Sequence, residues 1–430
     1  MTRRTRTILF LVFLFLFLLI APAAVFYSQG YRIDLNPPAG GKMITQTGGL
    51  FLKIEPKQVE IYLDDKLVKK TDFFFGSALI ENLLPKKYKV QVKKEGYRSW
   101  EKILEVKEKG VTEVKSIILV PEKNNFTVLN KNTENFWPSP DGKKIVLKEG
   151  NPPAGGGWAL KLYDLDRNLK SHLIEEKNIS SGGADLLNLE WSEDSKEIYL
   201  KIGMKEQEKN FVLNLGREPV TLTERKIPPL PEDVIVSEKF AGDIYYLDNL
   251  GYFFRTDPAF STKIKISQAP FPIQQETEYK LRIFPDYFFL EEGKISYLFN
   301  KDSGSFEKFF EEIKDLKISP DKKKLVFFSN SEIWVLFLKD IFSQQAKKSG
   351  EKLFLLRLSE KIGDAFWLND NYLIFNSGNN IKIAEIDGRD RIQTWDIGEF
   401  QNPTIFFNAI DKKLYILSEK NLFASENLLK

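Results

Sequence analysis

Cysteine is absent from all 430 residues, and histidine occurs once, at His172. The first absence removes disulfides, thiolate nucleophiles and cysteine metal sites together, so packing alone must hold whatever folds. The second leaves no pair of imidazoles for a metal centre, and a Ser-His-Asp triad would rest wholly on His172. That residue sits at strand spacing beside Leu173 and Ile174 with no serine motif near, and reads as an ordinary strand or surface residue. A Gly-x-Ser-x-Gly elbow is missing, as is the length an α/β-hydrolase domain would add. Neither sign of charge dominates: 63 basic against 60 acidic residues give a formal charge of +3, which makes no case for nucleic-acid binding. Gly40-Gly41-Lys42 is no phosphate loop, since the first glycine of that pattern is lacking and Met43 replaces Ser or Thr.

What is present is apolar and aromatic in quantity. A hydrophobic content of 42% with 13% aromatics suffices for buried cores and excludes general disorder, and the length suits two or three folded units. Arg3, Arg4 and Arg6 precede an uncharged stretch built from Ile8, Leu9, Phe10, Leu11, Phe13, Leu14, Phe15, Leu16, Phe17, Leu18, Leu19 and Ile20. About 20 such residues cross a hydrocarbon core of roughly 30 Å. Basic residues in front of them keep that end cytoplasmic, so the expected arrangement is a single-pass cell-membrane protein with its bulk outside. Residues 1–28 are the expected tip and anchor. A cleaved signal peptide is the alternative, because Ala21-Pro22-Ala23 offers the small residues a peptidase needs. Residues 29–48, with Pro37-Pro38 and Gly40-Gly41, read as a linker.

Residues 49–121 alternate apolar and charged side chains in short runs, such as Val59-Glu-Ile-Tyr-Leu, Tyr88-Lys-Val-Gln-Val and Ile103-Leu-Glu-Val, separated by turn signals. This pattern predicts a small all-β sandwich. The stretch from Glu55-Pro56 to Lys66, Leu83 to Tyr88, and Gly96-Tyr97 resembles the PEGA domain, a small extracytoplasmic β-sandwich of envelope proteins. The eponymous Pro-Glu-Gly-Ala is degenerate here. The resemblance implies an accessory or spacer module with no catalytic residues to carry over. Within this unit Phe73-Phe74-Phe75 cannot all face one core at strand spacing. Phe73 and Phe74 are therefore candidate partner contacts, the alternative being a loop that plugs the end of the sandwich.

Residues 122–430 are organised by one recurring unit. Asn135-Phe-Trp-Pro-Ser-Pro-Asp-Gly-Lys-Lys-Ile-Val-Leu returns as Trp191-Ser-Glu-Asp-Ser-Lys-Glu-Ile-Tyr-Leu, as Ile318-Ser-Pro-Asp-Lys-Lys-Lys-Leu-Val-Phe-Phe, as Trp367-Leu-Asn-Asp-Asn-Tyr-Leu-Ile-Phe and, more weakly, from Phe407. Each is a hairpin with a Pro- or Asp-set turn. A spacing of roughly 40 to 50 residues with four short strands per unit is the signature of propeller blades. The last unit runs out of chain near Leu422-Phe423, whereas Phe126-Thr-Val-Leu precedes the first without a hairpin of its own. Pairing the two would remove two bare sheet edges. The fold expected is therefore all-β, with an N-terminal transmembrane helix, a PEGA-like sandwich and a seven-bladed β-propeller closed by its own termini; six and eight blades are the alternatives. The Ser-Pro-Asp units resemble the TolB-like and PD40 (WD40-like) group of propellers, which implies protein binding or scaffolding in the cell envelope.

No motif here specifies a cofactor. Asp164-Leu-Asp166-Arg-Asn168 resembles the opening of a calcium loop but lacks its glycine and terminal glutamate. Most of the seven tryptophans suit cores; Trp158, after Pro152-Pro-Ala-Gly-Gly-Gly, is expected to project from a loop as a binding contact. The leading expectation is a non-catalytic extracytoplasmic scaffold whose propeller engages a protein or envelope polymer. The alternative is a polysaccharide lyase or hydrolase using carboxylates and tyrosine inside the propeller channel.

Overall fold

The computed structural model describes residues 3–35, 43–150, 157–180, 183–205, 207–216, 220–227 and 229–429. Helix α1 (Arg3–Ser28) carries no charge after Arg6, and its apolar side chains from Ile8 to Ile20 are exposed. At 1.5 Å per residue its length exceeds a bilayer core. The segment after it contributes a two-stranded ribbon, β1 (Tyr31–Ile33) with β2 (Ile44–Gln46), where a plain spacer was expected. Pro37, Pro38 and Gly40 to Lys42 lie outside the described residues. Gly30 O accepts Thr47 N at 2.8 Å, and Arg32 donates to Asn82 Oδ1 at 3.0 Å, which ties the ribbon to the next unit.

That unit is a sandwich of β3 (Gly48–Glu55), β4 (Glu60–Leu63), β5 (Lys66–Lys70), β6 (Ser77–Leu83), β7 (Lys87–Lys93), β8 (Trp100–Glu105) and β9 (Val111–Ile118). One sheet runs β6-β3-β9, the other β5-β4-β7-β8. The period-two pattern puts Leu50, Leu52, Ile54, Ile61, Val90, Val92, Trp100 and Leu104 between the sheets, all buried. Edges β5 and β6 adjoin on one flank, where Lys69 donates to Leu79 O, and β8 and β9 adjoin on the other.

The remainder is a seven-bladed β-propeller. Blade 1 spans residues 133–175, blade 2 185–224, blade 3 234–265, blade 4 279–311, blade 5 315–357 and blade 6 362–399, each a four-stranded antiparallel sheet. Blade 7 takes three strands from residues 404–425 and its fourth, Phe126–Lys131, from the front of the unit, paired antiparallel with Asn421–Ser425. First strands of successive blades contact one another, as in blades 3 and 4 and blades 6 and 7, so they line the axis.

The Ser-x-Asp turn explains why the hairpin repeats. Ser139 Oγ donates to Asp141 Oδ1 at 2.6 Å and accepts Lys144 N at 2.9 Å, while Asp141 Oδ1 also accepts Lys143 N. Ser192 with Asp194 and Ser319 with Asp321 do the same at 2.7 and 2.5 Å. Side chain thus satisfies turn amides that the ladder leaves unpaired. Each turn also grips a neighbouring blade: Asp141 N donates to Ser195 Oγ (3.1 Å), Asp321 N to Asp370 Oδ1 (2.8 Å), and Asn408 Nδ2 to Gly142 O (2.8 Å). Gly142 has φ +64°, and a Cβ there would sit 2.6 Å from Asn408 Oδ1, so only glycine allows this closing contact between blades 7 and 1. Blades 3 and 4 turn instead through Ala241-Gly242 and Pro285-Asp286, which is why their sequences match the repeat only loosely.

Apolar clusters bridge blades 1 and 2, 3 and 4, 4 and 5, 5 and 6, and 7 and 1, and a further one runs continuously from the sandwich core into blades 6 and 7. Among the described residues none of these clusters joins blades 2 and 3, and Leu187 and Ile235 on their first strands stay exposed. A chain ending at Lys420 would bare the edges of Phe126–Lys131 and Lys413–Ser418. It is expected to move to high-mass species in size-exclusion chromatography relative to the full chain; unchanged elution with an unchanged far-UV spectrum would show that the terminal pairing is dispensable.

Candidate functional site

Strand β8 carries a lysine where its alternation calls for an apolar residue. Trp100, Lys102 and Leu104 share the buried face, and Lys102 is 0% exposed. Its ammonium lies 2.7 Å from Glu385 Oε1 at the end of blade 6's third strand, and donates to the carbonyls of Asp387 (2.7 Å), Arg389 (2.8 Å) and Arg391 (3.0 Å). A buried charge needs such full coordination, because removal from water otherwise costs several kcal/mol. Glu385 is equally enclosed: its Oε1 also accepts Gln393 N (3.2 Å), and its Oε2 accepts the Trp100 indole (3.0 Å). Burial raises the Glu385 carboxyl above the usual carboxylate range, against the downward pull of Lys102 and Trp100.

Around this pair the sandwich is bolted to the propeller. Glu101 N donates to Gln393 Oε1 (3.1 Å) and Ile103 N to Asp390 Oδ2 (3.0 Å). The outer edge of β9 would be bare backbone, but Gln344 from a blade 5 loop covers it, accepting Glu113 N at 2.8 Å and donating to Val111 O. Arg389 donates to Glu113 O (2.8 Å), and the Tyr372 hydroxyl accepts Ile118 N (3.0 Å). Between these fixed points lies a cleft of about 710 Å³, lined by Glu113 to Ile117 on the sandwich and by Phe342, Lys347, Tyr372, Glu385, Asp387 and Arg389 on the propeller. Its volume falls in the range of sites that hold a ligand or a few side chains of a partner. Phe342 stands at its rim, 92% exposed.

A second set of charges crosses the first strands of blades 4 to 6, with Glu291 reaching in from blade 4's second strand. Arg282 lies 3.4 Å from Glu291 and 3.1 Å from Asp315, Lys317 pairs with Asp315 (3.5 Å) and Asp364, and the Lys317 ammonium sits 3.4 Å over the Phe366 ring. Phe366 in turn meets Phe406 of blade 7 edge-on. Burial raises the carboxyls of Asp364 and Glu238, opposed by Lys317 in the first case and by Arg282 and Lys280 in the second.

The residues singled out in the sequence lie elsewhere. Trp158 does not project: it opens blade 1's third strand opposite Gly150, is 4% exposed, and donates its indole N–H to Ala184 O at 2.6 Å. The strand begins at the tryptophan instead of after it, which turns the ring into the core between blades 1 and 2. The preceding residues 151–156 lie outside the described residues. Phe73 and Phe74 are exposed, on the β5–β6 connection. His172 is on blade 1's fourth strand, with Glu175 4.0 Å away. In the Asp164–Asn168 turn, Asp164 accepts Arg167 N and Asn168 accepts the Tyr163 hydroxyl, so these oxygens serve the turn itself. Residues Ile8 to Ile20 form the exposed apolar face of α1. Lys102, Gln344, Tyr372, Glu385 and Arg389 were not anticipated; the usable signal was a lysine at a core position of an alternating strand.

No family model and no curated protein matches the chain. Among solved structures it is similar to the Myceliophteria thermophila Cps50 (Swd1) β-propeller domain, at 10% identity over 71% of this chain and 99% of that one, TM-score 0.42. It is similar also to an oligogalacturonate lyase in complex with manganese (12%, 70% and 93%, TM-score 0.44) and to YCF48 from Cyanidioschyzon merolae (9%, 70% and 98%, TM-score 0.42). The first of these is a β-propeller domain; in this chain the blade sheets themselves define the all-β architecture, which an apolar N-terminal helix precedes.

Replacing Lys102 with Met strands Glu385 in a buried site and is expected to destabilise docking by about 3–5 kcal/mol; differential scanning calorimetry should resolve separate sandwich and propeller transitions where the native chain unites them. Burial pushes Asp387 up, but Arg389 and Gln345 pull it further down, so its carboxyl titrates below the usual range. Its contribution is present above the unfolded value of about 4 and is lost as pH falls through the lower folded value. Proteolysis of the 119–125 connector should therefore accelerate only once pH drops below about 4; an equal acceleration between neutral pH and that point would count against Asp387.

Proposed function

We propose that this chain is a membrane-tethered, non-catalytic binding scaffold whose bulk lies outside the cell membrane. Residues 1–28 are the cytoplasmic tip and anchor, 29–48 the connection, 49–121 a PEGA-like sandwich and 122–430 the propeller. The sandwich holds the propeller in one pose, and the junction cleft engages an extended segment of a protein partner. One observation carries this reading: in the junction cleft the buried carboxylate, Glu385, has both oxygens held by Lys102, Gln393 N and Trp100. A group so fixed is unavailable to carry a proton to a substrate, whereas rigid, pre-positioned walls favour recognition. Lys115, Lys347, Glu113 and Asp387 give the walls both signs of charge, which suits a peptide better than a polymer of one sign.

The second reading, an enzyme acting on envelope polysaccharide along the propeller axis, draws on Asp364 and Glu238, whose raised carboxyls are the kind a general acid requires. A photo-crosslinking phenylalanine analogue at Phe342, compared with the same group at exposed Ile410, tests the scaffold. It is expected to trap one protein species in stoichiometric yield from position 342 alone. Equal labelling from both positions, together with polysaccharide cleavage that Asp364→Asn abolishes, would replace the scaffold with the enzyme.

A further inference from the structure

The sandwich has two flanks, and they differ in kind. The β8–β9 flank is closed by blade 6 through Trp100, Lys102 and Ile103 and by Gln344, Arg389 and Tyr372 on β9. The opposite flank, β5 and β6 with their connection, faces away from the propeller. It carries Leu67, Val68, Phe73, Phe74, Phe75 and Leu79, six of the eight large apolar side chains exposed on the described residues of this unit; Ile103 and Val111 are the others. The three phenylalanines are 68%, 74% and 66% exposed, and Asp72 Oδ1 accepts the backbone N–H of Phe74 and Phe75 at 2.8 and 2.6 Å, which sets the loop without burying the rings. Exposed apolar side chains gathered along one flank of a small sandwich, with Phe73 and Phe74 in edge-on contact, mark a surface that something covers.

Two features of the flank point to lipid. Strand β5 reads Lys66-Leu-Val-Lys-Lys, with three ammonium groups and no carboxylate, and every one of its residues is exposed. Lys69 spans to Leu79 O and Lys70 pairs with Glu60 at 2.6 Å, both at the surface. Lysines beside clustered aromatics are the composition of a segment lying in a headgroup layer. The flank is also tied to the apolar helix: Asn82, near the end of β6, accepts a hydrogen bond from Arg32, which lies on β1 just past α1 and sits 3.5 Å over the Tyr27 ring at the helix end.

We propose that the β5–β6 flank rests on the bilayer that holds α1, with Phe73, Phe74 and Phe75 among the headgroups and the β5 lysines facing anionic lipid. The propeller then stands off on the far flank. This rests on α1 being a retained membrane anchor. Because the chain has no cysteine, single substitutions Phe74→Cys, Leu14→Cys and Ile410→Cys each give one attachment point for an environment-sensitive fluorophore in the full chain. The probe membrane is vesicles of equal parts phosphatidylcholine and phosphatidylglycerol, with spin-labelled phosphatidylcholine as quencher. Loss of emission at positions 14 and 74 with none at 410, weakened at 74 in vesicles of phosphatidylcholine alone, is the expected result. Quenching at 14 without quenching at 74 overturns the flank and leaves the anchor standing. A blue-shifted but unquenched label at 74 identifies a protein cover and overturns it equally. No quenching at 14 overturns the anchor, and the flank proposal with it.

Discussion

One ammonium group fixes the relation between the two folded units. Lys102 is enclosed by a carboxylate from blade 6 and by three carbonyls of the turn that follows it, and this arrangement admits no alternative register. An apolar contact tolerates sliding and rotation, since its strength depends on area more than on direction. A desolvated cation does not, because every displaced acceptor leaves charge unmatched in a medium where that is costly. The continuous apolar cluster from sandwich to blades 6 and 7 supplies adhesion, and Lys102 with Glu385 supplies the direction.

The propeller obtains its own directionality from smaller polar contacts. Each Ser-x-Asp turn satisfies its amides from within and meets a neighbouring blade through a further polar group, as Asp321 N does with Asp370, Gly142 O with Asn408 and Ser195 Oγ with Asp141 N. The tryptophans at strand ends serve the same purpose: the Trp191 indole donates to Trp137 O and that of Trp367 to Lys317 O, both between neighbouring blades. Blade stacking is thereby specified at the hairpin end of the sheet. In a chain without disulfides these polar contacts add direction to the apolar clusters that bridge neighbouring blades.

How much of this the sequence disclosed depends on range. Hairpins were legible because Ser, Pro, Asp and Gly act within four or five residues, and the shared seventh blade was legible because an orphan strand at Phe126 matched a deficit near Leu422. Trp158 misled because the glycines before it suggest a loop, while the strand pairing with Gly150 begins at the tryptophan itself. The junction was the least accessible part: Trp100 and Glu385 lie 285 positions apart, and no local pattern pairs them. Lys102 on the same face as Trp100 and Leu104 was nevertheless a visible anomaly, an unlikely residue for a core face unless a counter-charge arrives from elsewhere.

In a wheel of seven, no blade stands across from another blade. What faces blade 6, where the sandwich bears, is the boundary between blades 2 and 3, the one joint that none of the described apolar clusters bridges. The far rim is thus held without a bridging apolar cluster among the described residues, whereas on the docked side one such cluster continues from blades 6 and 7 into the sandwich.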